Sequence, residues 1–126
     1  MKIRVYYEDT DVGGVVYHSN YLNFCERARS ELFFSKDLSP ILEGGQFVAA
    51  SLKADFKRPA KFADVLEIKT ELVVIKKASF VLKQQVFRDE TLLFVMEISL
   101  AYVTHEGKLQ RFDKEVEALL KRVVVS

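Results

Sequence analysis

A single cysteine, Cys25, leaves the chain no partner for an internal disulfide and no set of thiolates for a metal cluster. That usage suits a reducing compartment. Two prolines and five glycines among 126 residues are too few for a loop-rich protein. Neither sign of charge is in excess. With a formal net charge of +1, the chain as a whole is no magnet for nucleic acid, and no nucleic-acid partner is expected. Long apolar runs are missing too. Leu92 to Met96 falls far short of the ~20 residues that cross a bilayer, so no transmembrane segment is expected. The opening MKIRVYYEDTD has no apolar h-region, so no signal peptide is expected.

What is present is globular. Apolar residues make up 49% of the chain, with ten Phe and five Tyr, and 126 residues fit one domain with a real core. Residues 2 to 7 (KIRVYY) predict a first strand. A loop with a Gly-Gly pair follows over 8 to 18. Tyr21, Phe24, Cys25, Ala28 and Leu32 then recur at helical spacing, predicting a helix over about 19 to 34. Ser19 or Asn20 is its expected N-cap. Pro40 and Gly44-Gly45 mark a turn region.

From residue 46 the period changes to two. Val48, Ala50, Leu52, Ala54 and Phe56 form one expected strand face, and Leu66, Ile68, Leu72 and Val74 the next. Phe80, Leu82 and Val86 continue the pattern, and Leu92 to Tyr102 give the longest alternation. Lys76-Lys77 and Arg88-Asp89-Glu90 fall at the breaks and read as hairpin turns, which imply antiparallel neighbours. Residues 105 to 110 turn around Gly107, and 113 to 122 read as a short helix capped by Asp113. A sheet with one apolar face and one long helix to cover it predicts an α+β domain, the sheet wrapped around the helix. Long strands leave edges that pair with a second subunit, so a homodimer or a dimer of dimers is expected.

The chemistry concentrates in residues 6 to 29, YYEDTDVGGVVYHSNYLNFCERAR. Asp9 and Asp11 either cap loop amides or supply a carboxylate that acts as base or nucleophile. Glu8 reads as solvated charge. His18, one of two histidines, is a helix-start surface residue or a proton carrier near neutral pH. Its N–H lies where a helix N-terminus exposes free donors, which can hold an oxyanion. Gly13-Gly14 match no phosphate-cradling motif. Tyr7 packs by default and could orient a carboxylate or water. Glu26 is expected to pair with Arg29. Cys25 reads as buried and inert, and His105 as exposed. Lys57, Arg58 and Lys61 make one basic cluster, Lys76 and Lys77 a second. Each is a solvated edge or an anion site.

That segment, with FKRPAKFADVLEI and the KKASF turn, resembles the hotdog-fold acyl-CoA thioesterases of the 4-hydroxybenzoyl-CoA thioesterase class. Within the class it resembles the YbgC type, encoded beside the Tol-Pal system. The resemblance implies hydrolysis of acyl-CoA to a free acid and coenzyme A, without metal or cofactor. It places the catalytic carboxylate at Asp11, with Tyr7 and His18 as further catalytic residues. The oxyanion contact falls on the His18 backbone N–H, and the coenzyme A phosphate contacts on Lys76 and Lys77. It implies dimers or tetramers with sites at the subunit interface, a cytoplasmic location that extends to the inner-membrane surface, and an acyl carrier protein as a further partner. The contrasting expectations are a non-catalytic acyl-CoA or acyl-carrier-protein binding module on the same fold, and a hotdog dehydratase, for which no motif is seen around Pro59.

Overall fold

The structure is a computed structural model, and it describes residues 1–124. Its elements are β1 (Lys2–Arg4), a single 3₁₀ turn (Tyr7–Asp9), α1 (Asn20–Phe34), β2 (Gln46–Phe56), β3 (Val65–Ile75), β4 (Ser79–Arg88), β5 (Thr91–Val103) and α2 (Lys114–Val123). The five strands form one sheet in the order β1-β3-β4-β5-β2, every neighbour antiparallel. The expected hairpins at Lys76-Lys77 and Asp89-Glu90 are present. Asp89 turns the second with φ +54°, a conformation that aspartate tolerates better than most residues. Asp113 caps α2 by accepting the Val116 N–H at 2.8 Å.

The sheet curls around α1, giving the α+β hotdog architecture. Tyr21, Phe24, Cys25, Ala28 and Phe33 of α1 are buried. They pack in one core with Leu66 and Ile68 of β3, Phe80, Leu82 and Val86 of β4, and Phe94, Met96 and Ile98 of β5. Burial of each such large side chain contributes ~1.5–3 kcal/mol. One polar residue sits among them. Gln84 is 0% exposed, yet both ends of its amide are paired. Its Nε2 donates to Cys25 O at 2.9 Å and Thr70 Oγ1 at 3.0 Å, and its Oε1 accepts from Arg29 Nη1 at 3.0 Å. Arg29 is therefore not the partner of Glu26, which accepts instead from Ser30 Oγ at 3.1 Å.

Four local expectations change. The first strand stops at Arg4, because the Asp9 carboxylate accepts the Tyr6 N–H at 2.8 Å and winds the chain into a 3₁₀ turn. No side chain caps α1, since Ser19 already has helical φ and ψ (−70°, −20°). In β2 the pairing shifts between Ala49 and Ser51. Residues opposite one another share a face, so Phe47 and Ala49 join Leu52, Ala54 and Phe56, while Val48 turns to the other side. A second shift between Leu72 and Val74 does the same in β3, and puts Ile75 rather than Val74 on the inner face. An extra residue in a bulge reverses the period-two alternation beyond it.

Candidate active site

The segment from Asp9 to Tyr17 folds back on itself as a short hairpin. Thr10 bridges Val16, the Asp11 N–H donates to Val15 O at 2.9 Å, and the Tyr17 N–H donates to Asp9 O at 3.0 Å. The tip is the turn Asp11 to Gly14, closed by Gly14 N–H to Asp11 O at 3.0 Å. Gly14 sits at φ +79°, where a side chain would be strained. The hairpin is pinned to the loop after β2: the Val16 N–H donates to Ala60 O at 2.8 Å, and Val15 bridges Lys61.

The two aspartates differ sharply. Asp9 is 9% exposed and caps the 3₁₀ turn, and its carbonyl also accepts from Asn20 Nδ2 at 2.9 Å. It ties the loop to the first turn of α1. Asp11 is exposed at the hairpin tip. Its Oδ1 accepts the Gly13 N–H at 2.8 Å, and its Oδ2 has no partner among the described residues. One oxygen orients the carboxylate while the other is left open.

His18 follows directly and is exposed, its ring against Tyr17 at 4.3 Å and edge-on to Phe56 at 6.4 Å. Its backbone N–H has no acceptor among the described residues. That donor lies two residues before α1, where the helix leaves unpaired N–H groups and partial positive charge. A cleft of about 190 Å³ opens beside it, lined by Val16, His18, Tyr21, Phe56, Lys57, Arg58 and Pro59. Tyr7 stands 83% exposed, packed on Phe62 at 5.3 Å. No hydrogen bond joins Tyr7, Asp11 and His18 among the described residues, although one loop carries all three.

Tyr21 was hidden in the helical period as a core residue. It is indeed buried, stacked on Phe94 at 5.0 Å, but its hydroxyl accepts the Ala60 N–H at 3.0 Å and its ring lines the cleft. Burial pushes its phenol up from the ordinary value, against the opposing Ala60 N–H and the Arg88 charge, so it stays protonated. Below it, Asp64 Oδ2 accepts from Arg88 Nη1 at 2.7 Å and from the Lys61 N–H at 2.9 Å. Partial burial alone would raise this carboxyl. The Lys61 N–H, the Arg88 bond and the two positive charges outweigh it and hold the carboxyl below the usual range. Cys25 is buried as expected, and burial pushes its thiol up to about 12, against the Arg29 charge. It is inert as a nucleophile at neutral pH.

Lys76 and Lys77 do not join this site within one chain. They sit at the far end of β3, whose near end, Val65, pairs with Arg4 beside the loop. Eleven residues of strand at ~3.3 Å each separate the two ends by roughly 33 Å. No group of three or more His, Cys, Asp or Glu side chains is gathered for a metal ion among the described residues, and no helix there is long and apolar enough to cross a membrane.

A family model described as "Thioesterase superfamily" matches residues 13–95, from the hairpin tip into β5. The chain belongs to the thioesterase superfamily. It is 54% identical over 87 residues to the acyl-CoA thioesterase YbgC of Helicobacter pylori, a match covering 69% of this chain and 65% of that protein. The chain therefore spans just under two thirds of that relative's length. It is 40% identical over 122 residues to the acyl-CoA thioesterase YbgC of Haemophilus influenzae, covering 92% of this chain and 89% of that one. Among solved structures, a probable thioesterase from Bartonella henselae superposes with a TM-score of 0.84 at 33% identity, over 90% of this chain and 97% of that one. Within the superfamily match lie Gly13, His18, the whole of α1, and the basic turn at Lys76-Lys77; Tyr7 and Asp11 precede it.

Proposed function

We propose that this protein is an acyl-CoA thioesterase of the YbgC type, splitting an acyl-CoA with water into a carboxylic acid and free coenzyme A. The observation that carries the reading is the pairing, on one loop, of the half-free Asp11 carboxylate with the unoccupied His18 N–H at the start of α1. The thioester carbonyl docks at the helix start, and the His18 N–H and the helix dipole hold the developing oxyanion. Asp11 Oδ2 takes a proton from water as the water adds to the carbonyl carbon; the tetrahedral intermediate then expels the thiolate, which is protonated as coenzyme A. The His18 ring and the Tyr7 hydroxyl position water and thioester from the exposed side of the cleft.

The acyl group extends from this point along the inner face of β2, past Leu52, which is 44% exposed, toward a cavity of about 370 Å³ walled by Phe33, Phe47 and Ala49. That face and the open edge of β2 are the surfaces a second copy would cover, with Phe56 54% exposed at its end. Residues 1–126 act as one domain, assembled as a homodimer or homotetramer. In such an assembly Lys76 and Lys77 contact coenzyme A phosphates at the partner's site. The cytoplasm, with Tol-Pal and acyl-carrier-protein connections at the inner membrane, is the setting this reading implies.

Incubation with acyl-CoAs of graded chain length, with release of free thiol followed, tests the reading. Asp11→Asn keeps an oxygen for the Gly13 N–H and removes the base. A fall in turnover of ~10²–10⁴-fold with an unchanged assembly is expected. Wild-type binding of acyl-CoA without thiol release would instead establish a non-catalytic binding module.

A further inference from the structure

We infer that Lys57, Arg58 and Lys61 form a phosphate site at the rim of the His18 cleft, for the phosphate on the pantetheine arm of the thioester substrate. The inference rests on the thioesterase reading for the identity of the arm. Lys57 and Arg58 line the same cleft as His18 and Tyr21. They share the cleft lining with His18 within a single chain, whereas Lys76 and Lys77 stand at the other end of β3.

The backbone holding them is anchored at each step. The N–H groups of Lys57 and Arg58 both donate to Leu93 O, at 2.8 and 3.1 Å. Pro59 O accepts from Arg88 Nη1 at 3.3 Å, and the Ala60 N–H donates to Tyr21 Oη at 3.0 Å. Ala60 O accepts the Val16 N–H at 2.8 Å, and the Lys61 N–H donates to Asp64 Oδ2 at 2.9 Å. The segment is thereby fastened to α1, to β4, to β5 and to the hairpin that carries Asp11.

Lys57 and Arg58 meet no carboxylate among the described residues, and the Lys61 ammonium feels the Asp64 charge without bonding to it. None of them takes part in a salt bridge among the described residues. The neighbouring carboxylate, Asp64, is committed to Arg88 at 2.7 Å. Lys57 and Arg58 thus put unpaired positive charge on the cleft lining, with Lys61 three residues further on, in a protein whose net charge is only +1. A guanidinium fork beside ammonium groups suits a phosphate, which accepts two parallel bonds from the first and point-charge attraction from the others. A thioester bound at His18 carries such a group on its leaving arm, whether that arm belongs to coenzyme A or to a carrier protein's prosthetic group.

The test compares one acyl group on pantetheine, on 4′-phosphopantetheine, on coenzyme A and on an acyl carrier protein, using the intact wild type and the double variant Lys57→Gln/Arg58→Gln. The readout is the phosphate preference, kcat/KM for the 4′-phosphopantetheine thioester over that for the pantetheine thioester. As a ratio it cancels any loss of folded enzyme. The preference is expected to fall about ten-fold or more in the variant, mainly through KM. Coenzyme A and carrier-protein thioesters should fall in parallel, the faster of the two in the wild type marking the source of the arm.

A preference unmoved in the Lys57/Arg58 variant, or a loss confined to coenzyme A, overturns the assignment. If the wild type hydrolyses no thioester, the thioesterase reading falls on its own. Calorimetric binding of 4′-phosphopantetheine then decides the site. A ten-fold weakening in the variant upholds it, and unchanged binding overturns it.

Discussion

Replacing Tyr21 by phenylalanine removes one oxygen and tests how the loop that carries Asp11 is held. The ring keeps its stack on Phe94 and its edge contacts with Phe24 and Phe56, so no cavity opens and the apolar contribution is preserved. What is lost is the acceptor for the Ala60 N–H. Ala60 is 0% exposed, and its N–H has no other partner among the described residues. A buried donor left unpaired costs ~1–3 kcal/mol. With an unfolding entropy of ~2.1 cal/mol/K per residue, 126 residues give ~0.26 kcal/mol/K, so the melting temperature should fall by ~4–11 °C. Both proteins are compared at one protomer concentration, because assembly shifts the apparent stability. A functional consequence accompanies it: Ala60 O carries Val16 of the Asp11 hairpin, so the rate of thioester hydrolysis should fall more than the fraction of folded protein does. A melting temperature within about 1 °C of wild type, well under the expected cost, would refute the claim that this hydrogen bond ties α1 to the loop.

Three further outcomes follow from the geometry. A Cβ on Gly13 would stand 3.2 Å from Asp11 Oδ1, while its backbone has ordinary φ; Gly13→Ala should therefore change stability by no more than ~1 kcal/mol yet lower hydrolysis several-fold, as melting curves and thiol release would read. The depressed Asp64 carboxyl contributes stability that is complete above its unfolded pKa of ~3.9 and lost as pH falls through its lower folded value; the stability difference between wild type and Asp64→Asn should be steady from pH 7 to 5 and shrink below about pH 4, and a difference independent of pH would refute this. Gln84→Leu strips the half-buried Arg29 of its acceptor and should cost ~2–3 kcal/mol in urea unfolding; Arg29→Met/Gln84→Leu should cost less than the two single changes added, and strict additivity would show that they do not interact.

Much of the fold and part of the site were legible in the amino-acid order. Helical spacing from Tyr21 to Leu32, period-two alternation from Val48 to Tyr102, and turns at Lys76-Lys77, Asp89-Glu90 and Gly107 are local signals. They depend on side chains a few residues apart. The loop YYEDTDVGGVVYHS is local as well, so its family resemblance could be read directly, but the residues left its two aspartates open and tertiary structure supplied their contrast in burial. The bulges at Ala50 and Val73 could not. Each arises from register with a neighbouring strand, and each reverses which residues face inward. Long-range pairs were equally silent. Tyr21 meets Ala60 across 39 positions and Arg29 meets Gln84 across 55, so a residue counted as apolar gained a polar task and an expected Glu26–Arg29 pair never formed. Tertiary structure alone decided which lysines stand near His18. Composition shows two basic clusters of similar kind. The length of β3 carries Lys76 and Lys77 away from the cleft, and the bonds to Leu93 hold Lys57 and Arg58 in its lining. Local order set the chemistry of the loop, and non-local hydrogen bonding set what surrounds it.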